Sequence, residues 1–278
     1  MFIEEIKPNG FCGGVKRAIR IVNDGYNNFP KPIYMLGYLI HNKHVIKDFE
    51  EKGIIVLNKD LDNEINNIDK GTVIITAHGI SPKLRERLIN KNLHIVDTTC
   101  TNVLKIHEIV SKKVNDGFNV YIIGNKNHPE VKGILGISDK VQIYDENNND
   151  LNSKTFICNQ TTLNYNKLNE TFNKIKKVYK NVEINNEVCS ATRARQEGII
   201  ENYHKYDLIV IVGDKLSNNC NSLYELAKSL GVDAIKVEYA DELNNFNLSK
   251  YHSVGITSGA STPREIFELV YNKIKNIK

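Results

Sequence analysis

Three of the five cysteines recur at a nearly constant interval, and this repeat restricts the fold more than any other feature of the 278-residue chain. Cys12, Cys100 and Cys189 are 88 and 89 residues apart, and each follows a strand-like run and precedes a helix-like one. Self-similarity at a fixed period predicts repeated structural units, here three. Cys158 and Cys220 fall outside this register, and we interpret both as structural.

Strand-like and helix-like segments alternate along the whole chain. The apolar, β-branched runs are FIEEI, PIYML, GIIVL, TVIITA, LHIVD, FNVYIIG, KTFIC, VEI, DLIVIVG and SVGIT. Amphipathic segments such as HVIKDFEEK, SPKLRERLINK and NVLKIHEIVSKKVNDG lie between them, and the polar clusters NKDLDNEINNIDK and DENNNDLNSK are interpreted as surface connections. This alternation predicts an α/β fold with mostly parallel sheets.

Polar residues follow the strand-like runs at matching places in each period. At the second junction, 28 or 29 residues after the cysteine, are His41, His128 and Ser217. At the third junction, 61 to 72 residues after it, are His78, Thr161 and Ser261. Because the carboxyl ends of parallel strands face a common crevice, three such units around an axis would bring these groups together. The sequence therefore predicts three α/β units in a threefold arrangement around an axis.

The third period ends at the helix-like segment TPREIFELVYNKIK without a closing strand, whereas FIEEI leads directly into Cys12. We therefore predict units at residues 13–97, 98–187 and 188–278, with residues 1–12 completing the sheet of the third unit.

The cysteines are the candidate metal ligands. In PNGFCGGVKRA, Cys12 has glycines beside it and a helix-like segment after it, which suits a reactive thiol or a metal ligand. Taken alone, a cysteine at such a turn is more often a small buried residue. Three converging thiolates with no fourth in register fit a cubane iron-sulfur cluster with one iron lacking a cysteine, or a zinc ion with an open position. The polar junction residues and helix N-termini suit a phosphate or diphosphate.

Composition argues against two classes of partner. The formal charge of +4, from 37 basic and 33 acidic residues, is too small to indicate a nucleic-acid-binding protein. No apolar run approaches the roughly 18 residues of a membrane span, and the N-terminus lacks the pattern of a secretory signal. We expect a cytoplasmic protein that binds neither nucleic acid nor membranes.

Nine short segments, in order across nearly the whole chain, resemble the 4-hydroxy-3-methylbut-2-enyl diphosphate reductase family. They are GFCGGV, IHN, AHG, DTTC, NHPEVKG, NQTTL, CSATRARQ, KLSNN and GITSGASTP. The resemblance implies a trefoil around one [4Fe-4S] cluster per chain, held by Cys12, Cys100 and Cys189. It also implies a two-electron reductive dehydroxylation of an allylic diphosphate to isopentenyl and dimethylallyl diphosphate.

The resemblance also implies roles for the polar residues. The positions that match the family's diphosphate-binding residues are His41, His78, His128, Ser217, Asn219 and Ser261. Thr161 matches the catalytic and substrate-binding residue beside the substrate hydroxyl, and Glu130 matches the proton donor. The chain departs from the usual Ser-Ser-Asn at Asn218, whose amide can still donate to phosphate, and has Cys220 where threonine or serine is usual.

Two other classes of function remain open from the residues alone. A zinc hydrolase acting on a phosphorylated metabolite would use the same thiolates and phosphate pocket, but zinc cannot supply electrons. A non-enzymatic, cluster-bearing module associated with RNA would need an exposed basic surface. For a reductase, the chain has no dinucleotide-binding fingerprint after a strand, so we expect a separate electron donor such as ferredoxin or flavodoxin.

Overall fold

The computed structural model describes residues 1–146, 151 and 154–277 of the chain. The strands, in chain order, are β1 Phe2–Glu5, β2 Ile33–Leu36, β3 Ile55–Leu57, β4 Thr72–Ile75, β5 His94–Asp97, β6 Asn119–Ile123, β7 Val141–Ile143, β8 Thr155–Asn159, β9 Glu183–Ile184, β10 Leu208–Val212, β11 Asp233–Val237 and β12 Ser253–Ser258. The α-helices are α1 Gly13–Gly25, α2 Lys43–Glu51, α3 Leu61–Asn66, α4 Pro82–Asn90, α5 Thr101–Asn115, α6 Pro129–Leu135, α7 Tyr165–Val178, α8 Ser190–Asn202, α9 Asn218–Ser229 and α10 Arg264–Lys275. Short 3-10 turns span Tyr203–Lys205 and Ala240–Asn245.

The strands form three four-stranded sheets with one repeated topology. Their spatial orders are β3-β2-β4-β5, β7-β6-β8-β9 and β11-β10-β12-β1. All pairings within the described part of the chain are parallel. The predicted fold class, three α/β units with parallel sheets, is therefore confirmed.

Each sheet is covered on both faces, which explains why its central strands are apolar without alternation. In β2 and β4 of the first sheet, Met35 and Ile74 belong to one buried cluster, whereas Val73 and Ile75 belong to another. All five residues of β8 and of β10 are buried. When helices cover both faces of a parallel sheet, the sequence of each central strand is a continuous hydrophobic run.

The N-terminal strand lies in the third sheet. β1 pairs in parallel with β12, in a register that places Phe2 opposite Ser253 and Glu5 opposite Ile256. In the third sheet, β1 lies at the edge next to β12, which is the position that β5 and β9 occupy in the other two sheets. These three edge strands lead into Cys12, Cys100 and Cys189. The unit boundaries at residues 97/98 and 187/188 stay a prediction, because strand pairing shows which strands share a sheet but not where one unit ends and the next begins.

The structure differs from the predicted elements in three places. The polar cluster NKDLDNEINNIDK, interpreted as a connection, contains α3, which Asp60 caps and which Ile65 anchors in the core. The edge strands β7 and β11 were not predicted. Most of DENNNDLNSK lies outside the described residues.

Within the described residues, no helix combines the length and the apolar character needed to cross a membrane.

Candidate active site

A cavity at the junction of the three sheets has an empty volume of about 720 Å³, including its opening to solvent. Every site residue singled out from the sequence lines it: Cys12, His41, His78, Cys100, His128, Glu130, Thr161, Cys189, Ser217, Asn218, Asn219 and Ser261. Residues separated by up to 249 positions thus meet in one chamber.

The three cysteines are positioned by the same backbone hydrogen bond, repeated three times. The cysteine N–H donates over 3.0 Å to a carbonyl at the third junction of the preceding unit: Cys100 to Ala77, Cys189 to Thr161 and Cys12 to Ala260. Each cysteine is also the N-cap of a helix, α1, α5 or α8. Each of the three thiols therefore lies at the positive end of a helix dipole.

The thiols share one corner of the cavity. A Cβ added at Gly14 would lie 2.9 Å from Cys100 Sγ and 3.9 Å from Cys12 Sγ, so the glycine leaves open the space between them. Asn102 Nδ2 donates to Cys189 Sγ over 3.1 Å. Burial raises the pKa of Cys100, and the nearby Cys189 and Cys12 raise it further. Three partly exposed thiols beside a cleared space fit a cubane cluster held by three cysteines.

The other two cysteines lie elsewhere. Cys158 is in the core of the second sheet and Cys220 in that of the third, and neither lines the cavity. Burial raises the pKa of Cys158 to about 12 and that of Cys220 to about 11. Both side chains therefore behave as small apolar residues.

Three imidazoles form one wall of the cavity. His41 Nε2 and His128 Nε2 are 3.2 Å apart, and the ring centroid of His78 is 4.6 Å from that of His41 and 5.3 Å from that of His128. Burial lowers the pKa of all three, that of His128 to about 3, although Asp214 partly opposes the shift at His41. One nitrogen from each lies within 4.8 Å of the others, so the neutral cluster could take up a polyanion or a metal ion.

The orientation of His128 follows from its place at the start of α6. Its Nδ1 accepts the backbone N–H of Glu130 over 3.2 Å, as an N-cap does. The neutral ring therefore carries its proton on Nε2, which faces His41 and the cavity. His128 is thus set up to donate a hydrogen bond to a ligand.

Glu130 is a buried carboxyl whose hydrogen bonds, among the described residues, are both to Thr161. It is 2% exposed, accepts the backbone N–H of Thr161 at Oε1 over 2.7 Å, and lies 3.0 Å from the Thr161 hydroxyl at Oε2. Burial raises the pKa of Glu130 to about 7, against the opposing effect of both Thr161 hydrogen bonds. Near neutral pH this carboxyl can therefore hold a proton or release it to Thr161.

The residues at the start of α9 differ in how far the protein already satisfies them. Both polar atoms of the Asn219 amide already have partners within the protein. Nδ2 donates to Thr192 Oγ1 over 3.0 Å, and Oδ1 accepts the N–H of Ala260 over 3.1 Å. Ser217 accepts the N–H of Cys220 as the N-cap. Asn218 Nδ2 is buried and has no hydrogen-bond partner among the described residues. Asn218 Nδ2 can therefore donate a hydrogen bond to a ligand in the cavity.

Two polar residues beside the thiols were not found by sequence reasoning. Asn102, which bonds to Cys189 Sγ, shows no sequence signal, because its partner is 87 positions away. Arg195 is almost fully buried and lies near Cys12 and Cys189. Its only signal was a charged residue inside the segment CSATRARQ, within a helix that also carries exposed charges.

Comparisons with known proteins agree along the whole chain. The LytB protein family matches residues 3–275. The chain is 38% identical over 276 residues to the 4-hydroxy-3-methylbut-2-enyl diphosphate reductase of Halalkalibacterium halodurans, covering 96% of this chain and 88% of that protein. It is 39% identical over 286 residues to the enzyme of that name from Bacillus pumilus, covering 99% and 91%.

Two solved structures are similar as well. The E-1-hydroxy-2-methyl-but-2-enyl-4-diphosphate reductase from Plasmodium falciparum superposes with a TM-score of 0.91 at 31% identity, covering 99% of this chain and 88% of that one. An (E)-4-hydroxy-3-methyl-but-2-enyl diphosphate reductase, described as the terminal enzyme of the non-mevalonate pathway, gives a TM-score of 0.69 at 32% identity over the whole of both chains.

Proposed function

The chain belongs to the LytB protein family, and from this premise we propose that its central cavity reduces 4-hydroxy-3-methylbut-2-enyl diphosphate to isopentenyl and dimethylallyl diphosphate. One observation carries the assignment of the reaction to this cavity: three cysteine thiols and a cluster of three neutral imidazoles line one chamber. Thiols suit a redox-active iron-sulfur centre, and imidazoles suit a diphosphate.

We propose that Cys12, Cys100 and Cys189 hold a [4Fe-4S] cluster, one per chain. When bound, the cluster supplies the two electrons singly and an iron with no protein ligand. The three thiols, their helix N-termini and the space kept open by Gly14 support this assignment. Each cysteine is held by a backbone bond, so the ligand geometry is set before the cluster arrives.

The diphosphate would occupy the wall of the cavity that the three imidazoles form. His41, His78 and His128 donate through ring nitrogens there, and a bound polyanion favours their protonated forms. Ser217, Asn218, Asn219 and Ser261 complete this wall. Because Asn218 Nδ2 lacks a partner, we assign it a hydrogen bond to a phosphate oxygen. Asn219 instead holds Thr192 and Ala260 in place and orients the wall.

Glu130 and Thr161 are assigned to proton delivery. The reaction consumes two electrons and two protons: the allylic C–O bond breaks, one proton leaves with the hydroxyl as water, and the other adds to carbon. Hydroxide is a poor leaving group, so a proton must reach the hydroxyl oxygen. Glu130 can pass its proton to Thr161 Oγ1 over 3.0 Å while the threonine hydroxyl donates its own to the substrate.

We propose that the electrons come from a separate protein such as ferredoxin or flavodoxin. Two features support a donor outside the chain: the sequence lacks a dinucleotide-binding fingerprint, and all three cavity cysteines are partly exposed. An electron carrier needs only to approach the thiol side of the cavity.

The decisive experiment is anaerobic purification followed by iron, sulfide and zinc analysis. We expect about four irons and four sulfides per chain, with broad visible absorbance, and turnover of the allylic diphosphate with a chemical reductant. Cys12→Ser, Cys100→Ser and Cys189→Ser should each lose most of the absorbance, whereas Cys158→Ser should keep it.

The competing zinc hydrolase would be recognised by stoichiometric zinc without sulfide. That result, or a Cys158→Ser variant that loses the cluster while Cys100→Ser keeps it, would contradict the proposal.

A further inference from the structure

Arg195 is a buried cation close to two of the cavity cysteines, Cys12 and Cys189. It lies on α8, six residues after Cys189, and its residue exposure is 3%. One terminal nitrogen, Nη1, donates to the carbonyl of Ala191 over 2.7 Å, and the other, Nη2, to that of Gly10 over 2.6 Å. Gly10 belongs to the loop that carries Cys12, so Arg195 joins the segments that hold two of the three thiols.

Two features of this side chain are not explained by its backbone bonds. Its Nε is buried and has no hydrogen-bond partner among the described residues. No carboxylate among the described residues forms an ion pair with Arg195. An unpaired buried charge costs several kcal/mol, and carbonyl oxygens offset only part of that cost.

The nearest source of negative charge is the cavity itself. Burial lowers the pKa of Arg195, whereas the nearby side chains of Cys12, Cys189 and Cys220 raise it. A guanidinium stays ionised in proteins, so Arg195 carries a fixed positive charge. Burial raises the pKa of Cys220 to about 11, so Cys220 stays neutral, whereas Cys12 and Cys189 would carry negative charge as thiolate ligands of a bound cluster.

We propose that Arg195 is the fixed positive charge that stabilises the reduced state of the thiolate-held cluster and so sets its reduction potential. The inference rests on the proposed function, because it needs the cluster. Each added electron makes a cluster with its thiolate ligands one unit more negative, so a nearby cation favours the reduced form over the oxidised form. Net charge and buried polarity are among the factors that set iron-sulfur potentials.

A purely structural role predicts something different. If Arg195 only ties Gly10 to Ala191, replacing it would lower stability or cluster content without changing the potential of the clusters that form. Variants that keep or remove the charge separate the two roles. Arg195→Gln keeps an amide donor without charge, and Arg195→Lys keeps the charge without the two-bond fork.

The test is an anaerobic redox titration of the holoprotein, followed by electron paramagnetic resonance, with iron and sulfide measured on the same samples. For Arg195→Gln, we expect the equilibrium of one-electron reduction to fall at least tenfold, a shift of at least 59 mV to more negative potential. Arg195→Lys should stay within threefold of the parent protein. Arg193→Gln is the matched control, since Arg193 lies on the same helix but is exposed and paired with Glu197.

A parent-like potential in cluster-loaded Arg195→Gln would overturn the inference, as would equal shifts in Arg195→Gln and Arg195→Lys. If Arg195→Gln holds no cluster, Arg195→Met is the second uncharged variant. Cluster retention in Arg195→Lys alone would support the role of charge, and loss in all three would overturn it. A parent protein without iron and sulfide would contradict the proposed function itself, and this inference with it.

Discussion

Glu130 combines full burial with a proton that it can release near neutral pH. Because burial raises its pKa to about 7, the carboxyl is protonated below pH 7 and loses its proton as pH rises through 7. A proton donor works from its protonated form, so we expect turnover at saturating substrate to fall on the alkaline side with an apparent pKa of about 7. Glu130→Gln should lower turnover by ~10² to 10⁴ and flatten this alkaline limb.

The measurement is steady-state turnover with a chemical reductant between pH 6 and pH 9. Glu86→Gln, an exposed carboxylate on α4, serves as the control and should match the parent protein. Turnover of Glu130→Gln within twofold of the parent would remove Glu130 from the proton path.

His128 gives a second prediction, on binding. Its pKa is lowered to about 3 in the ligand-free protein by burial and by His41, so a bound polyanion should raise it and draw protons from solution. We expect binding of inorganic diphosphate to take up more protons in the parent protein than in His128→Ala. A charge-assisted hydrogen bond is worth ~1.5 to 3 kcal/mol, so His128→Ala should also bind about ten- to a hundredfold more weakly.

Calorimetry in buffers of different ionisation enthalpy measures both quantities. The exposed His44, in His44→Ala, provides the control and should change neither. Equal proton uptake by His128→Ala and the parent would show that the imidazole stays neutral when diphosphate is bound.

Individual site residues were predictable where they follow a strand in a repeated register, as Cys100, His128 and Thr161 do. Their convergence needs only that parallel strands end at one side of a sheet. Asn102 and Arg195 lie inside helices and act on groups 87 and 185 positions away, so no local pattern identifies them. The role of Glu130 as proton donor was expected from the family resemblance, whereas its bond to Thr161, 31 positions away, was not predicted.

At the scale of elements, the start of α1 shows how a helix is adapted to hold a cofactor. Gly13 and Gly14 are its first residues, and neither has a positive φ. A Cβ at Gly13 would meet nothing within 4 Å, whereas one at Gly14 would lie 2.9 Å from Cys100 Sγ. We expect Gly14→Ala to displace the thiol and lose most of the cluster, and Gly13→Ala to retain it.

Iron per chain and visible absorbance after anaerobic purification test this pair. Alanine has the higher helix propensity at both positions, so propensity alone would improve both variants. Full cluster content in Gly14→Ala would show that the space beside Cys100 is not needed.

Elements were predictable where their own pattern was strong. The central strands are long apolar runs, and α2, α4, α5 and α10 show helical periodicity. The strands β7 and β11 are edge strands that are only partly buried, and β7, Val141–Ile143, is only three residues long. The helix α3 spans six residues with one fully buried side chain, too short for periodicity to be visible. Tertiary contacts, not local sequence, determine these elements.

On the scale of the whole molecule, the third unit depends on a segment from the other end of the chain. Ile6 is 2% exposed, packs in the cluster with Ile209 and Leu223, and donates its N–H to Ile256. Removing most of such a side chain typically costs about 2 to 5 kcal/mol. We expect Ile6→Ala to lower the melting temperature by several degrees, and Phe2→Ala, 57% exposed on the same segment, to change it little.

Thermal unfolding of the anaerobically purified variants measures the difference. Equal melting temperatures for Ile6→Ala and Phe2→Ala would mean that the N-terminal segment contributes nothing to the stability of the third unit.

The threefold architecture was predictable from the cysteine spacing, because a repeat in the sequence is visible without knowledge of any contact. The repeated bond from each cysteine to the preceding unit was not predicted, since it joins backbone atoms of residues with unlike side chains.

The bond from Cys12 to Ala260 has a consequence for how the protein is made. A ribosome synthesises residue 12 early, but the carbonyl that fixes it, and the strand that pairs with β1, come at residues 253–260. The segments that position Cys100 and Cys189 precede them in the chain, whereas Cys12 must wait until residue 260 has been synthesised. The cysteine made first is therefore the last to reach its place, so complete cluster assembly cannot begin before the third sheet has been made.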